Sequence, residues 1–228
     1  LWTLQDEHTD NLNQNKSKIF ELMNLAKADL AGKVPDPIAF EILGNKLIEM
    51  QLASKIQKSE NVSASQLATV EEEKAGYSFP FYACLINFDP IPNQFQILYD
   101  FGVILQHIDD VLDIYEDTEE GIKTLANTIS INQFEAFFNA KVASFIHQLA
   151  KLKASNKCIV NSFICISVGL VQIQNLKKQL PKSNVSNYKN MPREELICDF
   201  AKWHNLKCHL AITSRLMARY KSNSQLFE

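Results

Sequence analysis

Glycine is scarce in this chain, at six residues in 228. The backbone cradles that many enzymes use to hold phosphates are glycine-rich, and neither Gly-x-Gly-x-x-Gly, nor a P-loop, nor Gly-x-Ser-x-Gly occurs. A basic excess is lacking too. With 23 Lys+Arg against 26 Asp+Glu, the formal net charge is −3, which argues against a nucleic-acid partner. Glu-x-x-His pairs are absent, and with them the ligand set of a ferritin-like di-iron bundle. There is no CxxC spacing. The five cysteines (Cys84, Cys158, Cys165, Cys198, Cys208) sit mostly among apolar residues and read as reduced core thiols of a cytoplasmic protein. No basic segment followed by an apolar run marks a signal peptide. The chain opens on Leu1, with Trp2 already in a helical pattern, which predicts that N-terminal helices precede it. The longest uncharged stretch, 158–176, has the length of a membrane span. Asn161, Ser162, Gln172, Gln174 and Asn175 interrupt it, so it reads as a buried bundle helix and no transmembrane segment is expected.

Strand-like alternation is nearly missing; what is present is helical periodicity. Helices are expected at 1–12, 16–31, 37–59, 64–88, 93–118, 131–153, 156–180 and 193–221. Gly32 closes one of them, and Pro35 and Pro37 open the next behind Asp36 as its cap. Pro90, Pro92 and Pro181 punctuate the rest. At 46% hydrophobic residues, with no repeat or low-complexity linker, residues 1–228 read as one all-α domain, a multi-helix bundle.

The small net charge conceals an asymmetry. Residues 1–122 hold 21 acids and 8 bases, whereas residues 123–228 hold 5 acids and 15 bases. Within the acidic half, Gln106, Asp109, Asp110, Asp113 and Asp117 follow one another at three- and four-residue steps, which is one stripe of a helix. From Ala75 to Ile122 there are nine acids and no Lys or Arg. A solvated face normally mixes signs, because like charges a turn apart repel. Carboxylates stacked without bases need a cation, and hard oxygen ligands suit Mg²⁺, which is usually shared with substrate phosphates. A second acidic turn, Asp6, Glu7 and Asp10, precedes the first base at Lys16.

Gln106-His-Ile-Asp109-Asp110-Val-Leu-Asp113 resembles the second aspartate-rich motif, FQxxDDxxD, of polyprenyl diphosphate synthases, and Asp6-Glu7-His-Thr-Asp10 resembles a variant of their first, DDxxD. Lys74-Ala-Gly-Tyr-Ser-Phe79 is similar to the family segment whose lysine contacts diphosphate, and Gly121-Ile-Lys123-Thr124 to a later lysine of that kind. The resemblance covers roughly residues 1–125. It implies a class I isoprenoid synthase, a helical bundle around a central apolar cavity, in which several Mg²⁺ ions and lysines neutralise the diphosphate leaving an allylic prenyl diphosphate. In those terms Asp6, Glu7, Asp10, Asp109, Asp110 and Asp113 are the metal ligands, with Glu116 or Asp117 as helpers. Lys74 and Lys123 contact diphosphate, and Gln106 orients substrate. Phe79, Phe81, Tyr82 and Phe101 are the aromatics nearest the motifs, and the family implies a homodimer. The Arg-Arg-Gly that follows the family's first motif is missing, and Leu105 and Ala75 replace its Phe and Thr. A terpene cyclase, a head-to-head condensing enzyme and a non-catalytic prenyl-diphosphate binder therefore stand beside chain elongation.

Overall fold

The computed structural model describes residues 25, 28–30, 33–85, 94–152, 155–180, 188 and 191–225. Among them the protein is helical, without a strand. In chain order it runs α1 (Pro37–Ala53), a 3₁₀ turn (Ser54–Lys58), α2 (Ala64–Leu85), α3 (Gln94–Leu112), α4 (Ile114–Glu119), α5 (Leu125–Thr128), α6 (Ile131–Lys151), α7 (Asn156–Gln179), α8 (Arg193–Leu196) and α9 (Trp203–Ser224). The expected helix 1–12 lies outside the described residues, as does most of 16–31.

Local chemistry sets the starts. Asp36 accepts from the Ala39 N–H at 2.9 Å ahead of Pro37. Ser130 and Gln133 form a capping box on α6, and Ser155 caps α7. Two expected helices are broken. The 93–118 helix bends at Asp113 (φ −92°, ψ 14°), where Gln172 of α7 reaches in and donates to the Val111 carbonyl at 3.2 Å. The 193–221 helix splits into α8 and α9, and Asn205 folds back to donate to the Asp199 carbonyl across the break at 2.7 Å.

Helix α3 is the central element. Its apolar face (Ile97, Ile104, Ile108, Val111) meets Phe134, Phe138 and Phe145 of α6 and Phe163, Ile166 and Ile173 of α7, closed by Ile212 and Leu216 of α9. The four phenylalanines are fully buried, each contributing about 1.5–3 kcal/mol by removal from water. A smaller core holds α1 on α2 through Phe40, Leu43, Leu47 and Phe81, with Phe40 stacked on Phe81 at 5.0 Å.

Helix α7 is long and apolar enough to cross a membrane, and half of that window is buried against the bundle. Three of its interrupting polar residues are spent on neighbours: Gln172 on Val111 and Leu196 carbonyls, Gln174 on Cys208, and Asn175 on the Glu195 carbonyl. All five cysteines are free thiols, but the expectation of core thiols holds fully only for Cys198. Cys158 and Cys165 are exposed on α7, although the next residue after each, Ile159 and Ile166, is buried.

Candidate functional site

The acidic stripe survives the bend at Asp113. The Asp113 N–H still donates to the Asp109 carbonyl (2.8 Å) and the Asp117 N–H to the Asp113 carbonyl (2.9 Å). Helical phase therefore carries across, and Gln106, Asp109, Asp110, Asp113 and Asp117 all line one cleft of about 790 Å³, with Glu120 at its end. Glu116 belongs elsewhere: its carboxylate accepts from Arg193 Nη2 at 2.9 Å, so of the two proposed helpers only Asp117 reaches the cleft.

Three lysines share the cleft with the acids. Lys74 lines the cleft from α2, as its motif suggests, and Lys55 and Lys58 line it from the 3₁₀ turn. Sequence reasoning missed the last two. Their signal was available: they are the only bases between Lys46 and Lys74, one turn apart, in a half of the chain otherwise short of them.

Lys123, expected on diphosphate, is not among the lining residues. Its ammonium donates to the carbonyls of Ser59 (2.8 Å) and Glu60 (2.7 Å). Its backbone N–H donates to the Gln57 carbonyl at 2.8 Å, and Gln57 Nε2 returns a bond to the Lys123 carbonyl at 3.2 Å. Gly121 makes this docking possible. At φ +69° it ends α4 in the left-handed conformation, with the Ile122 N–H on the Asp117 carbonyl and the Gly121 N–H on Thr118. So the Gly121–Thr124 segment, read as a phosphate-binding element, instead clamps the strip that carries Lys55 and Lys58.

The carboxylates bear the mark of crowding. Burial, Asp113 and Asp110 push Asp109 up to about 6, against the opposing pull of Lys74. Asp117 rises to about 8, first through burial and then through Asp110, Asp113 and Asp109. Asp113 rises for the same reasons, with Glu116 its largest charged neighbour. Carboxylates that raise one another in this way are crowded beyond what Lys74 offsets, and an all-oxygen donor set of Asp109, Asp113 and Asp117 fits a hard divalent ion.

Asp110 is different. Expected beside Asp109 as a ligand to the same ion, it lies at the cleft floor only 3% exposed. Gln106 Nε2 donates to its Oδ1 at 2.7 Å, so Gln106 orients this carboxylate. Its Oδ2 faces His107 Nδ1 at 3.6 Å, and Glu71 Oε2 lies 3.8 Å from the same nitrogen. Glu71 is buried and accepts from the Leu125 N–H at 2.9 Å; burial and Asp110 push it up to about 10.

Beside the acidic cleft, sharing Gln106 and Asp109 with it, is an apolar groove of about 260 Å³ lined by Ala75, Ser78, Phe79, Tyr82, Gly102 and Leu105. Helices α2 and α3 cross closely here because Gly102 has no Cβ; one would stand 2.4 Å from the Ala75 carbonyl oxygen. Phe101 supports the groove from behind through Phe79 at 5.5 Å, whereas Phe81 points into the small core. The first acidic turn, Asp6, Glu7 and Asp10, lies outside the described residues.

A cleft lined by both carboxylates and lysines can hold a polyanion together with its metal ion, and the groove can take an apolar tail attached to it. Comparison with family models, with curated proteins and with solved structures finds no match to this chain.

Proposed function

We propose that this protein is a class I isoprenoid synthase, most like a polyprenyl diphosphate synthase, acting on allylic prenyl diphosphates with Mg²⁺. The observation that carries the reading is the meeting of Asp109, Asp113 and Asp117 with Lys55, Lys58 and Lys74 around one 790 Å³ cleft. A free polyanion would be repelled by the acids and a lone cation by the lysines; a metal–diphosphate complex suits both. Asp109, Asp113 and Asp117 are the residues to hold Mg²⁺, which supplies charge neutralisation to a departing diphosphate. Lys55, Lys58 and Lys74 bind the phosphate oxygens. Gln106 fixes Asp110 at the floor. Phe79, Tyr82 and Leu105 offer the prenyl chain a path next to Asp109, so that the scissile carbon–oxygen bond lies at the junction of cleft and groove. Aromatic and aliphatic walls there exclude water from the allylic cation left by ionisation. The isoprenoid-synthase fold with its central cavity belongs to this proposal, as do Asp6, Glu7 and Asp10 as the second carboxylate set.

The test is diphosphate release. The purified protein is incubated with geranyl, farnesyl or geranylgeranyl diphosphate, with and without isopentenyl diphosphate, in Mg²⁺ or in chelator. Mg²⁺-dependent release that needs isopentenyl diphosphate supports elongation; release without it supports a cyclase. Saturable binding of the prenyl diphosphates with no release from any of them rejects the enzyme and leaves a binder.

A further inference from the structure

Beneath the cleft floor, two side chains outside the proposed reaction converge on Asp110. Glu71 and His107 are 1% and 0% exposed, and one ligand atom from each of Glu71, His107 and Asp110 lies within 4.8 Å of the others. Both ring nitrogens of His107 are buried without a hydrogen-bond partner, and Glu71 Oε2 and Asp110 Oδ2 have no donor beyond a proton held between the two acids. Buried polar groups are rarely left so. We propose that Glu71 Oε2, His107 Nδ1 and Asp110 Oδ2 form a binding site for one divalent transition-metal ion of the zinc class.

A proton shared between Glu71 and Asp110 satisfies the two carboxylates but leaves the imidazole without a partner, whereas one ion satisfies all three. His107 Nδ1 stands 3.8 Å from Glu71 Oε2 and 3.6 Å from Asp110 Oδ2, too far for either to share a hydrogen with it. Bonds of ~2.0–2.2 Å to a tetrahedral ion set neighbouring ligand atoms about 3.3–3.6 Å apart, close to what is found. The remaining carboxylate oxygens are already committed, Glu71 Oε1 to the Leu125 N–H and Asp110 Oδ1 to Gln106, which leaves the second oxygen of each for the ion. Outer hydrogen bonds of this kind orient metal ligands. The imidazole ring is fixed by edge contacts with Phe134 (6.0 Å) and Phe137 (5.2 Å). One nitrogen with two carboxylate oxygens selects zinc-like ions over Mg²⁺, which prefers oxygen alone and keeps its waters. Glu71 and Asp110 both line the cleft, so an ion enters through its floor.

The site stands apart from the proposed reaction, because its distinguishing ligands, Glu71 and His107, take no part there. Chelator-stripped protein is titrated with Zn²⁺ by calorimetry and with Co²⁺ by visible absorption. With millimolar Mg²⁺ present to occupy the Asp109, Asp113 and Asp117 set, one Zn²⁺ or Co²⁺ ion per chain is expected, with Co²⁺ bands of tetrahedral intensity and a paramagnetically shifted imidazole ring resonance. Glu71→Gln and His107→Gln each lower affinity by more than about 100-fold, beyond the loss of an outer partner, whereas Asp109→Asn and Asp113→Asn leave it unchanged. Should both ligand variants unfold by circular dichroism, the imidazole resonance of the wild-type Co²⁺ form decides. No saturable Zn²⁺ binding, equal binding by wild type and a folded His107→Gln, or a Co²⁺ form without imidazole ligation overturns the proposal. Zn²⁺ binding without diphosphate release leaves this site standing and removes the reaction; release without Zn²⁺ binding does the reverse.

Discussion

Freed of metal, the acidic cleft makes the protein less stable as pH rises, and Mg²⁺ removes the loss. Folding pushes Asp117 up to about 8 and Asp109 to about 6. In the unfolded chain both return to about 3.9. Between those values the folded state binds more protons than the unfolded one, so unfolding free energy falls with rising pH from about pH 4 to about pH 8, and Glu71, pushed up to about 10, continues the fall beyond. Below that window both states are protonated and the dependence vanishes. One fully shifted proton is worth ~1.4 kcal/mol per pH unit. Asp109 is the more solvent-accessible of the two, its carboxylate only partly withdrawn from water, so screening reduces its share and Asp117 carries most of the effect. A working slope of ~1 kcal/mol per unit gives ~2 kcal/mol between about pH 6 and about pH 8, or a Tm lower by about 4–8 °C in a domain of this size. Thermal melts followed by circular dichroism, in chelator and in millimolar Mg²⁺, read this directly. Asp117→Asn replaces the crowded carboxylate by a neutral amide; it raises Tm at high pH and makes the metal-free curve shallower, the remaining slope belonging to Glu71, which folding pushes up to about 10. A metal-free Tm that is flat or rises from about pH 6 to about pH 8 refutes the reasoning, as does a wild-type slope in Asp117→Asn.

Asp109→Asn and Asp113→Asn each lower the kcat of diphosphate release by about 10²–10³ with the helical spectrum unchanged, as expected for groups that act on developing charge. Lys55→Ala and Lys58→Ala each weaken binding of Mg²⁺–diphosphate about 10–100-fold, the equivalent of one charge-assisted hydrogen bond. Lys123→Met removes the ammonium from the solvent-exposed Ser59 and Glu60 carbonyls, costs about 0.5–1.5 kcal/mol in denaturant melts and weakens diphosphate binding through the loosened Lys55–Lys58 strip. Gly102→Ala drives a Cβ against the Ala75 carbonyl; overpacking of about 1–3 kcal/mol exceeds the ~1 kcal/mol gained in helix propensity, so its Tm falls.

What was legible in the sequence was periodic. Gln106 to Asp117 keep helical steps, and the stripe they form lines one cleft even though α3 bends within it. The bend was not legible, because its cause, Gln172, is 61 residues away and acts on a backbone carbonyl. Lys123 misled for a related reason. A lysine after an acidic motif says nothing of which partner its ammonium finds, and here the Gly121 turn aims it at Ser59 and Glu60. Lys55 and Lys58 carried no motif at all; their role depends on where a 3₁₀ turn docks. His107 stands inside the acidic motif without a role of its own in the sequence, and only the packing of α2 on α3 brings Glu71 against it.

The most direct test of the central account is calorimetric titration of the purified protein with inorganic diphosphate, in the presence and absence of Mg²⁺. The account predicts saturable binding of one diphosphate per chain only when Mg²⁺ is present, lost on Asp109→Asn and weakened by Lys58→Ala. Equal binding with and without Mg²⁺, or none in either, contradicts it.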